Sequence, residues 1–187
     1  PPDLSVVLNT YNRQEMLEQV LDGFASQTAP RDDFEVIVVD DGSVPPVQAV
    51  AEKFAGAIHL TYLRRENGGL AAARNAGIHA AGDAIVLFSD DDDVPSPELI
   101  AEHLASHRAY PDECIAVLGH LDWHPDLNVT PLMHYVTHVG GEYFGFDRLQ
   151  DGQLYDQWKW WGGLVSAKRS LLEYVEGPFD VRLRFGY

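Results

Sequence analysis

Four consecutive carboxylates, Asp90 to Asp93, follow directly on an apolar run in the stretch "IVLFSDDDDVPSPELI". At separations of a few ångströms, like charges repel by on the order of 1–4 kcal/mol per pair, depending on the local dielectric, so the cluster demands a cation. In an extended strand alternate side chains share a side, which pairs Asp90 with Asp92 and Asp91 with Asp93. Two carboxylates on one side suit Mg²⁺ or Mn²⁺, hard cations usually held by one or two protein carboxylates together with phosphate oxygens. An acidic loop before a helix would explain Ser96 as cap, Pro97 at the first helical position and Glu98 in the first turn. It would not explain four acids behind a buried strand.

Three further polar clusters punctuate the first 80 residues. "NTYNR" holds Thr10, Tyr11 and Arg13, with Asn12 placed either as a helix cap or as part of a site. "DDGS" (40–43) is either an ordinary turn or a strand tip whose carboxylate accepts from a base N–H or a ribose hydroxyl. In "ENGGLAAARNAG", Gly68 and Gly69 open a helix and permit close approach of an anion to its positive end. Arg74 and Asn75 lie about two turns further on, and alanine neighbours favour an Arg74 aimed inward over a solvated one.

The elements that position these clusters alternate. "LSVVLNT", "FEVIVVDDGS", "IHLTYLRR" and "AIVLFSD" read as strands. Between them lie a helix with Met16, Leu17, Val20, Leu21 and Phe24 on one face, a short proline-opened helix in "PPVQAVAEKFAG", and an alanine-rich helix closed by Gly82. Strands separated by helices imply right-handed crossovers and an α/β fold, a mainly parallel sheet flanked by helices on both faces. Ligands bind such sheets beyond the carboxyl ends of the strands, and all four polar clusters fall there.

The ordered set "VVLNTYNR", "VIVVDDGS", "ENGGLAAARNAG" and "IVLFSDDDDVPSPELI" resembles the nucleotide-binding half of glycosyltransferase family 2, inverting enzymes with the Rossmann-like GT-A fold. That resemblance implies a single domain over 1–187, with 1–95 the nucleotide-binding half and 96–187 the acceptor-side half. It places Thr10, Tyr11 and Arg13 around base and ribose, Asp41 as acceptor from the base, and Gly69, Arg74, Asp90 and Asp91 at the nucleotide, Asp90 near the ribose. Asp90 and Asp92 form the D-x-D motif, with the metal on Asp92 and Asp90; the extra acids Asp91 and Asp93 leave the register open. The implied activity is transfer of a sugar from a nucleoside-diphosphate donor, a UDP-sugar by family likeness, to an acceptor hydroxyl. A Mn or Mg cation would stabilise the charge developing on the diphosphate, and a carboxylate base would activate the acceptor.

Beyond residue 95, "SPELIAEHLASHRAYPD" reads as a helix with Leu99, Ile100 and Leu104 inward, "CIAVLGHLDW" as a strand, and "TPLMHYVTHVGGEYFGFD" as helix or loop. His134 and His138, four apart, would share a helical face, but neither they nor His120 and His124 bring an evident third ligand, so a surface role is preferred. In "QWKWWGGLVSAKRSLLEYV", Trp158, Trp160 and Trp161 precede Gly162 and Gly163, a strand, and Ser166 as cap of a last helix. The tryptophans suit either a core or the C–H faces of a sugar. By resemblance, Trp160, Trp161, Gly162 and Gly163 lie beside the transferred sugar and acceptor. "GPFDVRLRFGY" is similar to the segment that precedes the family's Glu-Asp pair, which places the general base downstream of Tyr187; Glu142 and Asp156 are the internal alternatives.

Composition bounds the partners. A formal net charge of −16 over 187 residues leaves no basic face for nucleic acid or an anionic membrane. One cysteine, Cys114, excludes an internal disulfide framework and fits a reducing compartment. No apolar stretch approaches the roughly 20 residues that cross a bilayer, and the expected location is cytoplasmic. Two rival readings remain open on sequence grounds. "DDDDV" also satisfies the D-x-D-x-V pattern of haloacid dehalogenase-type phosphatases, although there it sits on the first strand. A noncatalytic nucleotide-sugar-binding module is the other.

Overall fold

The computed structural model describes residues 3–82, 84–139, 146–156, 163–174 and 178–183. Continuous apolar runs form the strands β1 (Leu4–Thr10), β2 (Phe34–Asp40) and β4 (Ile85–Asp90), while β3 (His59–Arg64) alternates and lies at the sheet edge. All seven residues of β1 are buried, as expected of a central parallel strand covered on both faces. Two further strands, β5 (Ala116–Leu118) and β6 (Val165–Lys168), complete a six-stranded sheet in the order β3-β2-β1-β4-β6-β5. The first four strands are mutually parallel, and β6 runs antiparallel to both β4 and β5.

Helices cover both faces. On one, α1 (Gln14–Ala25) contributes Leu17, Val20, Leu21 and Phe24, and α4 (Leu99–Ala109) contributes Leu99, Ile100 and Leu104, against Leu4, Val6 and Leu8. Met16 is an exception to the expected face. It stands one helical step (about 100°) off the stripe and is 45% exposed. On the other face, α3 (Leu70–Ala80) packs Ala73 and Ile78 against Val7, Ile37, Val39 and Phe88. That approach is close: a β-carbon on Gly77 would come within 2.2 Å of Val7 Cγ1. The alanine-rich sequence of α3 is therefore a packing requirement as well as a helix-forming one.

Several local expectations are revised. The helix after β2 shortens to α2 (Gln48–Glu52), and α3 stops at Ala80 because Ala81 turns extended, before Gly82 is reached. Ser96 does not cap α4; Gln27 does, its Oε1 accepting from Ile100 N at 3.0 Å while its Nε2 donates to Ser96 O at 2.7 Å. Ser166 is likewise no cap: it lies fully buried inside β6, and α6 (Arg169–Glu173) begins after Lys168. The segment after β5 forms α5 (Pro131–His134), capped by Thr130, and runs on as a π-helical turn over Tyr135–Val139. Among the described residues no helix is long and apolar enough to cross a membrane.

Candidate active site

Because β1 to β4 are parallel and in register, their carboxyl ends form one rim. Thr10 opposes Asp40, Asn9 opposes Asp90, and Asp40 opposes Arg64. At this rim the pairing of each carboxylate decides its role.

Asp40 is structural. Fully buried, it accepts from Ser43 N at 2.7 Å, Val47 N at 3.3 Å and Tyr62 Oη at 2.5 Å. Burial pushes its carboxyl up, but these hydrogen bonds outweigh it and hold it below the ordinary carboxylate range. The same contact, added to burial, raises the Tyr62 phenol. Asp41 ties the tip of β2 to the start of α3: it accepts from Gly69 N at 2.8 Å, from Gly68 N, and from Arg65 Nη1. The amides that open α3 thus already face an anion, the carboxylate of Asp41. Gly69 takes φ +87°, a backbone conformation glycine tolerates. Arg65 was not singled out by sequence reasoning; its place immediately before "ENGG" at the tip of β3 was the available signal.

The β1–α1 loop is stitched to the β2–α2 loop. Asn12, at φ +57°, donates its N–H to Ser43 Oγ at 2.9 Å and accepts from Val44 N at 2.7 Å. It does not cap α1. Tyr11 next to it is half exposed.

The four aspartates do not alternate as an extended strand would have them. β4 ends at Asp90 and a turn follows, closed by Asp93 N donating to Asp90 O at 3.2 Å. As a result Asp91 and Asp92 share one guanidinium nitrogen, Arg13 Nη1, at 3.0 and 2.8 Å. Asp91 also accepts from Thr10 Oγ1 at 2.7 Å. Burial raises Asp91, while Thr10 and Arg13 draw it back; Asp91 in turn raises Arg13. Asp90 pairs with Arg74 Nη2 at 3.0 Å, and its carboxyl is raised by burial against that pairing. Half-buried Asp93 is pushed up to about 7 by burial and by the charges of Asp90 and Asp92. Arg74 is buried as anticipated, with Nε lacking a partner among the described residues. The side-chain amide of Asn9, also buried at the end of β1, lacks one too; a polar residue closing an apolar strand was its sequence signal.

Two guanidinium groups thus face four carboxylates, and the oxygens of Asp90 and Asp92 remain partly open to solvent. This is an all-oxygen donor set with charge to spare for one divalent cation, which fits Mg²⁺ or Mn²⁺. Among the described residues no group of three His, Cys, Asp or Glu side chains stands close enough to hold an ion unaided. His134 and His138 do lie together, with ring centroids 4.7 Å apart and planes tilted by 47°, and His120 packs on Phe146, but none joins such a group.

On the opposite side of the sheet from β3, Gly163 precedes β6. Trp158, Trp160, Trp161, Gly162 and Glu142 lie outside the described residues. Asp156 is exposed and lines a cavity of about 680 Å³ along β5, together with Tyr110, His120 and Phe146.

Comparison with known proteins bears on this geometry. Residues 5–160 match the family described as Glycosyl transferase family 2. Over 135 residues the chain is 35% identical to validoxylamine A glucosyltransferase of Streptomyces hygroscopicus subsp. limoneus, an alignment spanning 71% of this chain and 30% of that relative. Residues 1–349 of Staphylococcus aureus TarS in complex with UDP superpose with a TM-score of 0.76 at 22% identity, covering 98% of this chain and 52% of that one. The mannosyltransferase PcManGT from Pyrobaculum calidifontis, in complex with GDP-Man and Mn²⁺, superposes with a TM-score of 0.66 at 25% identity, covering 93% and 48%. The fold is therefore GT-A, Rossmann-like, and the chain spans about a third of the length of that curated relative.

Proposed function

The chain belongs to glycosyltransferase family 2, and from that premise we propose that it carries the donor site of a metal-dependent, inverting enzyme that moves a sugar from a nucleoside-diphosphate sugar to an acceptor hydroxyl. The observation that carries this reading is the gathering of Thr10, Arg13, Asp41, Arg74 and Asp90–Asp93 on one rim at the carboxyl ends of parallel strands. The ligands in the neighbours' structures, UDP in one and GDP-Man with Mn²⁺ in the other, support a nucleotide-sugar donor. A UDP-sugar is the donor we favour, and the whole 1–187 stretch is read as one GT-A domain.

In this reading Tyr11 lies against the base, Asp41 accepts from it, and Thr10 and Arg13 set the ribose side through Asp91. Asp92 and Asp90 would hold a Mn²⁺ or Mg²⁺ ion, which supplies charge stabilisation to the leaving diphosphate. Arg13 and Arg74 contribute fixed positive charge beside it, Arg74 from a buried position where its field is least screened. Cleavage of the sugar–phosphate bond leaves the electron pair on the diphosphate oxygen, while the acceptor oxygen bonds the opposite face of the anomeric carbon and gives up its proton to a base. We place that base downstream of Tyr187. Trp160, Trp161, Gly162 and Gly163 are proposed to line the sugar and acceptor. Family membership answers the phosphatase alternative.

Calorimetric titration of UDP, GDP, CDP and ADP with Mn²⁺ tests the reading. Affinity that falls on adding a chelator and in Asp92→Ala is the expected result. Affinity indifferent to both would overturn the metal assignment, and binding without release of nucleoside diphosphate from any donor would leave a binding module.

A further inference from the structure

Adjacent residues Arg74 and Asn75 on α3 reach a segment 104 residues away from Asn75 in sequence. Asn75 Nδ2 donates to Phe179 O at 2.8 Å, and Asn75 Oδ1 accepts from Phe179 N at 3.1 Å. One carboxamide thereby satisfies both backbone groups of one residue, as a neighbouring strand would. The described segment 178–183 contains no helix or strand, so this clamp takes over the task a ladder performs elsewhere. It fixes the phenyl ring of Phe179 edge-on to Phe88, at 5.2 Å and 80°. The ring's face lies 5.3 Å from the guanidinium carbon of Arg74, within range of a cation–π contact.

Within its buried site Arg74 has few other polar contacts. Its Nη2 bonds Asp90, its Nε has no partner among the described residues, and its chain of torsions allows several rotamers. We propose that Asn75 is a positioning residue for Arg74: by pinning Phe179 it backs the guanidinium with an aromatic face and so fixes Arg74 on Asp90. This rests on the donor-site reading above, and it makes the segment around Phe179 a part of the nucleotide site that touches no nucleotide. A purely structural clamp would hold segment 178–183 down with no consequence for Arg74.

The two roles separate in a double-mutant cycle. UDP and GDP with Mn²⁺ are titrated into the wild type, Asn75→Ala, Phe179→Leu, Arg74→Ala and the Asn75→Ala/Arg74→Ala pair. Phe179→Leu keeps the backbone clamp and an apolar side chain, and stands in should Asn75→Ala fold poorly. Asn75→Ala and Phe179→Leu should each weaken binding by about three- to tenfold, the range of a partly desolvated cation–π contact. In the Arg74→Ala background Asn75→Ala should change affinity by less than about twofold, because its effect runs through the missing side chain. Unchanged affinity in both single variants, or an equal loss in the Arg74→Ala background, would overturn the proposal. In nucleotide-free protein, NMR of the Arg74 Nε–H signal should show slow exchange in the wild type and faster exchange in Phe179→Leu. A wild type that binds neither nucleotide sinks the donor-site reading, while the NMR comparison still decides whether Phe179 holds Arg74; an identical signal in both proteins refutes it.

Discussion

The two halves of the chain hold polar groups in place by different means. From Leu4 to Asp90, parallel strands pair over six or seven residues each; that register places Asp40 and Asp90, and the other rim carboxylates follow directly on the ends of β2 and β4. Beyond Leu99 the sheet goes on through strands of three and four residues, and beside the apolar cluster of Leu99, Ile100, Leu104 and Leu164 it meets α4 through a polar contact: His103 Nδ1 and His107 Nε2 lie 2.7 and 2.8 Å from the single hydroxyl of Ser166. All three side chains are buried. Long ladders with apolar faces give the first half a precision that no single group controls. In the second half, shorter ladders share the placement with a buried histidine–serine contact, so that region answers to protonation.

Acid should expose this contrast most strongly. Burial drives both His103 and His107 down to about 4, with His107 adding to the first effect and nearby Lys168 to the second. The unfolded chain takes up protons from about pH 6.5, before the folded one does, so stability is complete above that pH and is lost as pH falls toward about 4. Each histidine then costs up to about 1.4 kcal/mol per pH unit across that window. Hydrogen exchange at pH 5 should show α4, β5 and β6 losing protection ahead of β1 and β2. Simultaneous loss across the sheet would break the comparison.

Packing in the first half offers the next largest effect. Gly77→Ala puts a methyl against Val7, a stiff, fully buried neighbour. The helix-propensity gain of about 1 kcal/mol should be outweighed, for a net loss of about 1–2 kcal/mol in urea unfolding. A gain in stability would show that α3 can lift from the sheet, and that the rim is less rigidly set than the strand register implies.

Site charge comes third. Asp92→Ala removes a partly exposed carboxylate that shares Arg13 with Asp91, so folding should barely change while Mn²⁺-dependent nucleotide affinity falls about tenfold, or about 1.4 kcal/mol. Equal affinity with and without Mn²⁺ in the wild type would remove the metal from the rim. At the bottom of the scale, Glu18→Ala breaks the exposed pair with Lys53 and should move the unfolding midpoint by less than the equivalent of about 0.5 kcal/mol.

The amino-acid sequence alone determined the parallel strands, their order along the chain and the rim they share. Runs such as "LSVVLNT" and "VIVVD" are buried on both faces, and that leaves a direct mark on residue type. It also placed Thr10, Arg13, Asp41 and Asp90–Asp93 at the strand tips, because strand ends are legible from the switch from apolar to polar, and it set Arg74 inward on the alanine-rich helix. Pairing partners were not legible. Arg13 takes both Asp91 and Asp92 because a turn after Asp90 interrupts the period of two, and the pairings of Arg65 with Asp41 and of Arg74 with Asp90 join separate elements; only the folded chain shows any of them. The antiparallel course of β6, the burial of Ser166 between two histidines and the grip of Asn75 on Phe179 were equally closed to sequence reading. Each joins residues about 60 to 105 positions apart through hydrogen bonds. A local pattern records whether a side chain is apolar or polar; it holds no record of which distant group will satisfy the polar ones, and that choice is made by tertiary geometry.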